Sequence, residues 1–269
     1  MSDSSRRAPG GRPGNTILVV YLVFFFAFLF LPILMAVESS FNADRFVGLP
    51  WKGFTLAWYR GVLETPDLLP SLQRSVIVGL AVATTSVTLG FLGAYALTRV
   101  SFPGKDAYVM AVISPIAVPW VLLGLGFVIY FDSIGIPRSL WAVWISHTVF
   151  AAPLALVLIR TRIAAIPPSY QAAARDLGAS PLRAIIEVVL PLSAPALIAA
   201  FLVTFTLSFD EFILAWFVSG FDITLPVQIW TMIRTGLTPT VSAIGVIIFA
   251  ISISLTVASE LLLQRHSNT

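Results

Sequence analysis

The sequence contains no cysteine and few charged residues. Without cysteine the chain has no disulfide, no thiolate metal site and no cysteine nucleophile. Charged residues make up 11% of the 269 positions, whereas a soluble globular domain has about 25%. Because so little charge cannot cover the surface of a soluble protein, we expect most of the chain to lie in a lipid bilayer.

Motifs for catalysis are also missing. The sequence has no G-x-x-x-x-G-K-[ST] phosphate loop, so it cannot hold ATP as a P-loop protein does. It has no group of His, Asp and Glu at the spacing of metal ligands. Its net charge of +3 is not gathered into a basic stripe that would bind nucleic acid. We therefore expect a protein without enzyme activity, cofactor, metal or nucleic-acid partner.

Long apolar runs are what the sequence has in quantity, since 58% of its residues are hydrophobic. A helix of about 20 apolar residues crosses roughly 30 Å of hydrocarbon. Six runs meet that length: residues 16–37, 75–97, 107–131, 140–159, 194–218 and 240–263. The pattern predicts an all-α membrane protein with six transmembrane helices, of which the third is kinked by Pro115 and Pro119.

The first run also has a feature of a signal peptide, since Arg6, Arg7 and Arg12 precede it. Its apolar core is longer than the roughly 7 to 15 apolar residues of a signal peptide, and no clear A-x-A cleavage site follows it. A retained membrane span is therefore the better interpretation of this run.

The segments outside the runs differ in composition. Residues 1–15 are rich in Gly, Pro, Ser and Arg and are expected to form a disordered tail, with a second short tail at 264–269. Residues 38–71 form the longest segment outside the membrane, and their aromatic side chains suit a membrane interface. The remaining residues, 72–263, are expected to form one transmembrane core.

The distribution of Lys and Arg predicts the orientation. If the N-terminus is cytoplasmic, ten of the 16 Lys and Arg fall in inner segments and six fall in outer segments. By the positive-inside rule both termini and the segment 169–191 are then cytoplasmic, and 38–71 is extracytoplasmic. No internal repeat is visible at the level of residues, so a duplicated secondary transporter receives no support.

Residues 169–191, SYQAAARDLGASPLRAIIEVVLP, are an unusually polar connection between two apolar runs. Two prolines precede it, Ser169 suits an N-cap, QAAARDL is rich in helix formers, and Gly178 suits the position after a helix end. A second helix is expected at 181–189, before a Leu-Pro pair returns the chain to the membrane. The alanines of the first helix give it a slim surface that fits a groove on another protein.

This segment resembles the EAA loop of binding-protein-dependent ABC importer permeases. The pattern of that loop is E-A-A, three residues, G, nine residues, I, one residue, L-P. Gly178 and the pair of Leu190 and Pro191 fall in register, and Val188 replaces the isoleucine. In the family this loop forms the coupling helix that docks on a cytoplasmic ATPase subunit, so we refer to residues 169–191 as the coupling loop.

The resemblance implies which residues of the coupling loop contact the ATPase subunit. They are Ala172, Ala173, Ala174, Arg175, Asp176, Gly178 and Pro191. Ala172 stands where the family has glutamate, so one polar contact is lost, and an exposed ion pair contributes about 0 to 1 kcal/mol. The alternative interpretation is an ordinary amphipathic loop on the cytoplasmic side.

Three further segments resemble the spermidine/putrescine-type subgroup of this family: GFTLAWYRGVL, SPIAVPWVLLGLGF and SFDEFILAWFVSG. Trp120 stands where the second of these motifs usually has an acid. The resemblance implies an ABC type-1 importer transmembrane domain in a bacterial inner membrane. Its partners would be a second permease subunit in a heterodimer, two ATPase subunits and an extracytoplasmic binding protein. Its substrate would be a polyamine or related organic cation, with a phosphonate or an iron chelate as the alternatives.

Asp210 and Glu211 are adjacent acids inside the fifth run. A carboxylate in the membrane is costly unless it faces a cavity or is paired, so the two acids indicate a substrate pathway. On a continuous helix Thr204, Ser208 and Glu211 share one stripe, whereas Asp210 lies on another face with Thr206. The sequence does not choose which of the two faces lines the pathway.

The candidate pathway residues are Asp210, Glu211, Ser208, Thr204 and Trp120. The aromatic faces of Trp120 or Trp216 would add cation–π attraction for an organic cation. One alternative is a buried anchor in which an acid pairs with Arg234 or a backbone carbonyl. Another is a stand-alone secondary transporter or channel in which the two acids relay ions. His147 suits a proton relay, although a single His in a helix bundle is more often a packing group.

Overall fold

Helices make up the regular structure in the computed structural model, which describes residues 13–48, 50–236 and 238–267. In these stretches the α-helices are α1 (Pro13–Phe41), α2 (Ala57–Glu64), α3 (Leu68–Arg99), α4 (Lys105–Ala117), α5 (Trp120–Ser133), α6 (Leu140–Ala165), α7 (Pro168–Asp176), α8 (Pro181–Ala184), α9 (Leu190–Asp210), α10 (Ile213–Val218), α11 (Leu225–Thr235) and α12 (Pro239–Ser267). A π-helical turn, Ile185–Val189, joins α8 to α9. The predicted all-α fold is confirmed.

Four helical segments are long and apolar enough to cross a membrane: Ile17–Phe41 in α1, α3, α6 and the continuous segment Pro181–Asp210. The bent pair of α4 and α5 makes a fifth if it is counted as one span. The last predicted span lies in α12, whose described apolar part, Pro239–Ser254, is shorter. The described residues therefore contain four to five spans, and the predicted number of six goes beyond them.

The third predicted span, 107–131, is not one helix. The chain leaves the helical conformation between α4 and α5, and its direction changes by 106° from one helix to the other. Pro119 explains the break, because a residue before proline avoids the helical region and Val118 is extended at φ −85° and ψ 131°. The kink predicted from Pro115 and Pro119 is confirmed, and it is sharper than a bend within one helix.

The ends of the chain differ from the two predicted tails. α1 begins at Pro13, so residues 13–15 of the predicted tail 1–15 are helical, and the rest of that tail lies outside the described residues. At the other end α12 continues through Ser267, and residues 268–269 lie outside the described residues. Both helices continue beyond the apolar runs, because the flanking polar residues allow the helix to propagate into water.

The predicted outer loop 38–71 is shortened by helices at both ends. α1 continues to Phe41, and α3 already begins at Leu68. Between them the short helix α2 gives this region regular structure of its own. The apolar run therefore marks where a helix meets the membrane core, and not where the helix ends.

Residues 13–62 and 238–247 belong to one compact unit of the fold. In it, the side chain of Asn42 donates from Nδ2 to Glu38 Oε1 at 2.9 Å, and its backbone oxygen accepts from Trp58 Nε1 at 2.7 Å. Asn42 is fully buried, so these bonds satisfy polar groups that water does not reach. The loop after α1 is thus held in one conformation by its own side chains.

Residues Leu63–Gly236 and 248–267 belong to the second unit, in which α3, α6 and α9 pack together. Glycine permits the close approach of α3 to α6, since a Cβ atom at Gly90 would lie 2.9 Å from the carbonyl carbon of Ala155. A Cβ atom at Gly93 would lie 2.7 Å from Leu156 Cδ1. Small residues at such contacts let membrane helices pack backbone to backbone. This three-helix core supports both candidate sites.

Candidate functional site

The coupling loop begins with α7, whose start and end have separate causes. Pro168 is the first helical residue and Pro167 the cap, so the expectation of Ser169 as N-cap is wrong. Proline suits the first position because its φ is already helical and its missing N–H would be unpaired there in any case. The sequence pattern placed the start of this helix two residues too late.

Gly178 ends α7 as predicted. Its φ of 91° lies in the left-handed region that favours glycine. The N–H of Gly178 donates to Arg175 O at 2.9 Å, and the N–H of Ala179 donates to Ala174 O at 3.0 Å. These are the two bonds of a Schellman motif, which pairs carbonyls that the end of a helix leaves free.

The chain leaves the coupling loop without a break. Ser180 caps α8 by accepting from the N–H of Arg183 at 3.2 Å, and the helical path then runs from Pro181 to Asp210. The predicted second helix, 181–189, is therefore the start of the next span. The π-turn within it has a local cause, because Pro191 lacks an N–H and its ring disfavours an α-helical turn directly before it.

The coupling residues lie on an exposed surface. Ala172, Ala173, Arg175, Asp176, Gly178 and Pro191 are exposed, and Ala174 is half-buried. Sequence reasoning missed two leucines beside them: Leu177 is 91% exposed and Leu182 is 65% exposed. Because both leucines lie outside the apolar runs, they join the predicted docking residues as candidates for contact with another protein. Their signal in the sequence was leucine in an otherwise polar segment outside the membrane.

The two acids of the fifth span lie at a break in that span. α9 ends at Asp210, Glu211 is extended at φ −73° and ψ 122°, and the chain becomes helical again in α10. Glu211 accepts from the N–H of Leu214 at 2.9 Å through Oε1 and from that of Ala215 at 3.1 Å through Oε2. The continuous helix predicted for 194–218 is therefore wrong, because this carboxylate caps a new helix start.

Glu211 is held by a histidine of α6. His147 Nε2 lies 3.2 Å from Glu211 Oε2, and His147 Nδ1 lies 2.9 Å from Ser208 Oγ. The side chains of His147 and Glu211 are each 2% exposed. Among the described residues neither acid forms an ion pair with Arg234, which is exposed on α11. Glu211 is therefore paired inside the protein, as in the buried anchor considered above. Its partner is His147, which sequence reasoning did not pair with it.

Asp210 points to a different environment. It is exposed and borders a cavity of about 340 Å³, which we call the pathway cavity. Its lining includes Trp120, Leu202, Thr206, Asp210, Glu211 and Thr256. Asp210 Oδ2 accepts from Ser252 Oγ at 2.8 Å, a partner on α12 that lies 42 residues away in sequence. Asp210 and Trp120 are therefore brought together at one cavity, although Trp120 belongs to α5.

The remaining pathway candidates lie on the buried side. Thr204 is fully buried and donates to Ala200 O at 2.7 Å, and Ser208 is 6% exposed. The predicted division into two faces is thus present, with Thr204, Ser208 and Glu211 inside. No three His, Asp or Glu side chains come together as a metal site within the part of the chain that the structure describes.

Known proteins resemble this chain over most of its length. Residues 86–268 match the family described as binding-protein-dependent transport system inner membrane component. The spermidine/putrescine transport system permease protein PotC of Haemophilus influenzae is 33% identical over 245 residues, which cover 90% of this chain and 95% of that protein. The putrescine transport system permease protein PotI of Escherichia coli (strain K12) is 32% identical over 238 residues, which cover 86% and 84%.

Solved structures share the arrangement of helices. A bacterial ABC transporter involved in the import of the acidic polysaccharide alginate has a TM-score of 0.69 at 19% identity, over 96% of this chain and 99% of that chain. The MetNI methionine ABC transporter, in an inward-facing conformation, has a TM-score of 0.55 at 21% identity, over 75% and 98%. The chain therefore belongs to the family of binding-protein-dependent transport system inner membrane components and is a multi-pass permease subunit of an ABC importer.

Proposed function

We propose that this permease subunit translocates a polyamine, such as spermidine or putrescine, or a related organic cation. The observation that carries the proposal is the position of Asp210 at the pathway cavity together with Trp120. A carboxylate attracts an ammonium group, and an indole face adds cation–π attraction of about 0.5 to 2 kcal/mol. The names of the relatives, PotC and PotI, agree with this substrate class.

The two acids have different roles in this proposal. Glu211 accepts from two backbone N–H groups and lies 3.2 Å from Nε2 of His147, so polar groups of the protein surround its carboxylate. Asp210 has one hydroxyl donor, Ser252, and is exposed. Asp210 is therefore the acid that meets the substrate. Ser208 supports the pathway through its bond to His147 of α6, whereas the hydroxyl of Thr204 bonds within α9.

The same charge argues against the alternative substrates. A phosphonate or an iron chelate that carries net negative charge is repelled by the carboxylate of Asp210, and a cavity of low dielectric increases this repulsion. A stand-alone transporter or channel is not retained either, because the chain belongs to a family of importer permeases.

The coupling loop connects this pathway to ATP hydrolysis in our proposal. The exposed surface of Ala172, Ala173, Leu177 and Leu182 contacts an ATPase subunit, which supplies the energy that this chain cannot supply itself. The complete importer contains a second, similar permease subunit, two ATPase subunits and an extracytoplasmic binding protein. In this proposal the chain has six membrane-spanning segments and two cytoplasmic termini, an arrangement in which the coupling loop faces the ATPase subunits.

Uptake of labelled spermidine and putrescine by the complete importer tests the proposal. We expect Asp210→Asn to reduce uptake about tenfold, because one charge-assisted contact contributes about 1.5 kcal/mol, and Asp210→Glu to restore part of it. Asp106→Asn, which changes an exposed carboxyl of α4, is the matched control and should transport as the parent does. Unchanged uptake in Asp210→Asn, or failure of the binding protein to bind either polyamine, contradicts the proposal.

A further inference from the structure

The coupling loop is closed at its base by a bond between the two spans that flank it. Arg162, in the last turn of α6, donates from Nε to the backbone oxygen of Leu192 at 3.0 Å. Leu192 lies in the first turn of α9. Because a carbonyl oxygen has two lone pairs, Leu192 O can accept from an arginine in addition to a helical N–H group. The two ends of the loop are thus tied to each other.

A third helix also holds the loop. Gln171, on α7, donates from Nε2 to the hydroxyl of Tyr95 on α3 at 2.7 Å. The two residues are 76 positions apart in sequence, and both are half-buried. The bond therefore ties the helix that carries the coupling surface directly to α3, which is not adjacent to the loop in sequence.

Arg99 binds the loop at a second point. Its Nη2 donates to Ile166 O at 2.6 Å and to Ile163 O at 3.2 Å, at the end of α6 where the chain turns into α7. A guanidinium at the C-terminal end of a helix pairs free carbonyls and interacts favourably with the helix dipole. The Nε atom of Arg99 is buried. The side chain is thus committed to this position and is not a mobile surface arginine.

Tyr95 and Arg99 lie one turn apart on the same face of α3, at i and i+4. One contacts the body of α7 and the other contacts the turn that precedes it. The rest of α3 packs along α6 at Gly90 and against α9 at Gly79, where a Cβ atom would lie 3.0 Å from Phe205. A displacement of α7 can therefore be passed to the 32-residue helix α3, which contacts both α6 and α9.

We propose that Tyr95 and Arg99 are positioning residues that transmit movement of the coupling loop to α3, and we call them the α3 anchor points. The proposal rests on the docking of the coupling loop on an ATPase subunit, as proposed above. Without the anchor points the ATPase subunits still bind and hydrolyse ATP, but the movement of α7 reaches the membrane helices through α6 and α9 only. The weaker coupling is measured as fewer substrate molecules transported for each ATP hydrolysed.

The test uses the complete importer in proteoliposomes and measures uptake and ATP hydrolysis in the same sample. Tyr95→Phe and Gln171→Leu each remove the bond between α7 and α3, and Arg99→Gln removes the guanidinium. We expect transport per ATP to fall about 3- to 10-fold, the range for the loss of one net hydrogen bond. The double variant of Tyr95→Phe with Gln171→Leu should be no worse than the poorer single variant, because both remove the same bond.

Two matched controls separate coupling from general damage. Tyr108→Phe removes the hydroxyl of a half-exposed tyrosine on α4, and Arg160→Gln changes an exposed arginine of α6. Both should keep the parental ratio of transport to hydrolysis. Arg99→Lys keeps the charge but not the planar fork of donors, so it should recover only part of the loss.

The outcomes distinguish this inference from the proposal on which it rests. If bulky replacements of Ala173, Ala174 and Gly178 leave the ATPase subunit bound, the docking role of the loop is wrong. If those replacements release the ATPase subunit but Tyr95→Phe, Gln171→Leu and Arg99→Gln transport as much per ATP as the parent, the anchor points are wrong. Should Arg99→Gln fail to assemble, the tyrosine and glutamine variants still decide the question. An equal fall of hydrolysis and transport also contradicts the inference.

Discussion

The carboxylate of Glu211 and the imidazole of His147 lie 3.2 Å apart between Oε2 and Nε2, in a position where both side chains are 2% exposed. The pair joins α6 to the break between α9 and α10. Removal of one partner from a buried pair leaves an uncompensated polar or charged group, whereas removal of both is far less costly. The stability of the span break therefore depends on a residue that is 64 positions away from it.

The first prediction concerns this pair. We expect His147→Leu to lower the free energy of unfolding by about 3 to 5 kcal/mol, because the carboxylate of Glu211 stays buried without its imidazole partner. The double variant His147→Leu with Glu211→Gln should be more stable than His147→Leu alone. Thermal unfolding of the purified complex in nanodiscs measures both. Glu211→Gln alone completes a double-mutant cycle, and losses that simply add in the double variant would show that the two side chains do not interact.

The second prediction concerns the aromatic wall of the pathway cavity. Trp120→Leu should raise the KM for polyamine uptake about 2- to 30-fold, the range for the loss of a cation–π contact of about 0.5 to 2 kcal/mol. Trp120→Phe keeps an aromatic face, so its KM for polyamine uptake should rise less than that of Trp120→Leu. Trp141→Leu, which changes a tryptophan 68% exposed on α6, is the control. A similar KM for Trp120→Leu and Trp120→Phe contradicts a role of the ring face.

The third prediction concerns the apolar part of the coupling surface. Leu177→Asp and Leu182→Asp each place a charge in a contact that we assign to the ATPase subunit, and a buried interface residue can contribute 1 kcal/mol or more, roughly fivefold in affinity. We expect less ATPase subunit to copurify with each variant. Leu63→Asp, at an exposed leucine of α2, should copurify as the parent does. Ala172→Glu restores the glutamate of the family pattern, so it should tighten the contact with the ATPase subunit or leave it unchanged. If much less ATPase subunit copurified with Ala172→Glu, the docking register would be wrong.

The fourth prediction concerns the turn at Gly178. With φ at 91° and no atom within 4 Å of an added Cβ, Gly178→Ala meets backbone strain and not a clash. The strain is about 1 to 2 kcal/mol, and Gly178→Asn should cost less because Asn tolerates the left-handed region. Limited proteolysis of the loop measures its opening. If Gly178→Ala is cut no faster than Gly178→Asn, the left-handed conformation is not what holds this turn.

The fifth prediction concerns the contact of α3 with α6. Gly90→Ala places a methyl group 2.9 Å from the backbone of Ala155, so the helices must separate, at a cost of about 1 to 3 kcal/mol. Gly126→Ala is the control, because no atom lies within 4 Å of its added Cβ atom. Thermal unfolding compares the two variants. A Gly90→Ala protein as stable as Gly126→Ala would mean that the helices are not in close contact there.

Local chemistry explains what the sequence predicted correctly. The stop at Gly178 follows from the conformational freedom of one residue, and the break before Pro119 follows from the geometry of one ring. The separation of the buried Thr204 and Ser208 from the exposed Asp210 follows from helical spacing within α9. Each of these conclusions needed residues no more than a few positions apart.

The features that the sequence did not predict depend mostly on partners far away in sequence. The helix break at Glu211 is invisible in an apolar run, because its stabilisation comes from His147 and from N–H groups that exist only after the break has formed. The bond of Gln171 to Tyr95 joins residues on separate helices, so no local pattern indicates it. The sequence does not predict the true ends of α1 and α3 for a different reason. Hydrophobicity shows which residues lie in the membrane, but both helices continue beyond those residues.

The capping of α10 by Glu211 has a consequence for which solutes can pass. A helix that starts inside a membrane usually exposes N–H groups that attract negative charge. Here the N–H groups of Leu214 and Ala215 are already occupied by the carboxylate next to the pathway cavity. The span break thus offers an anion no free donor at these two positions.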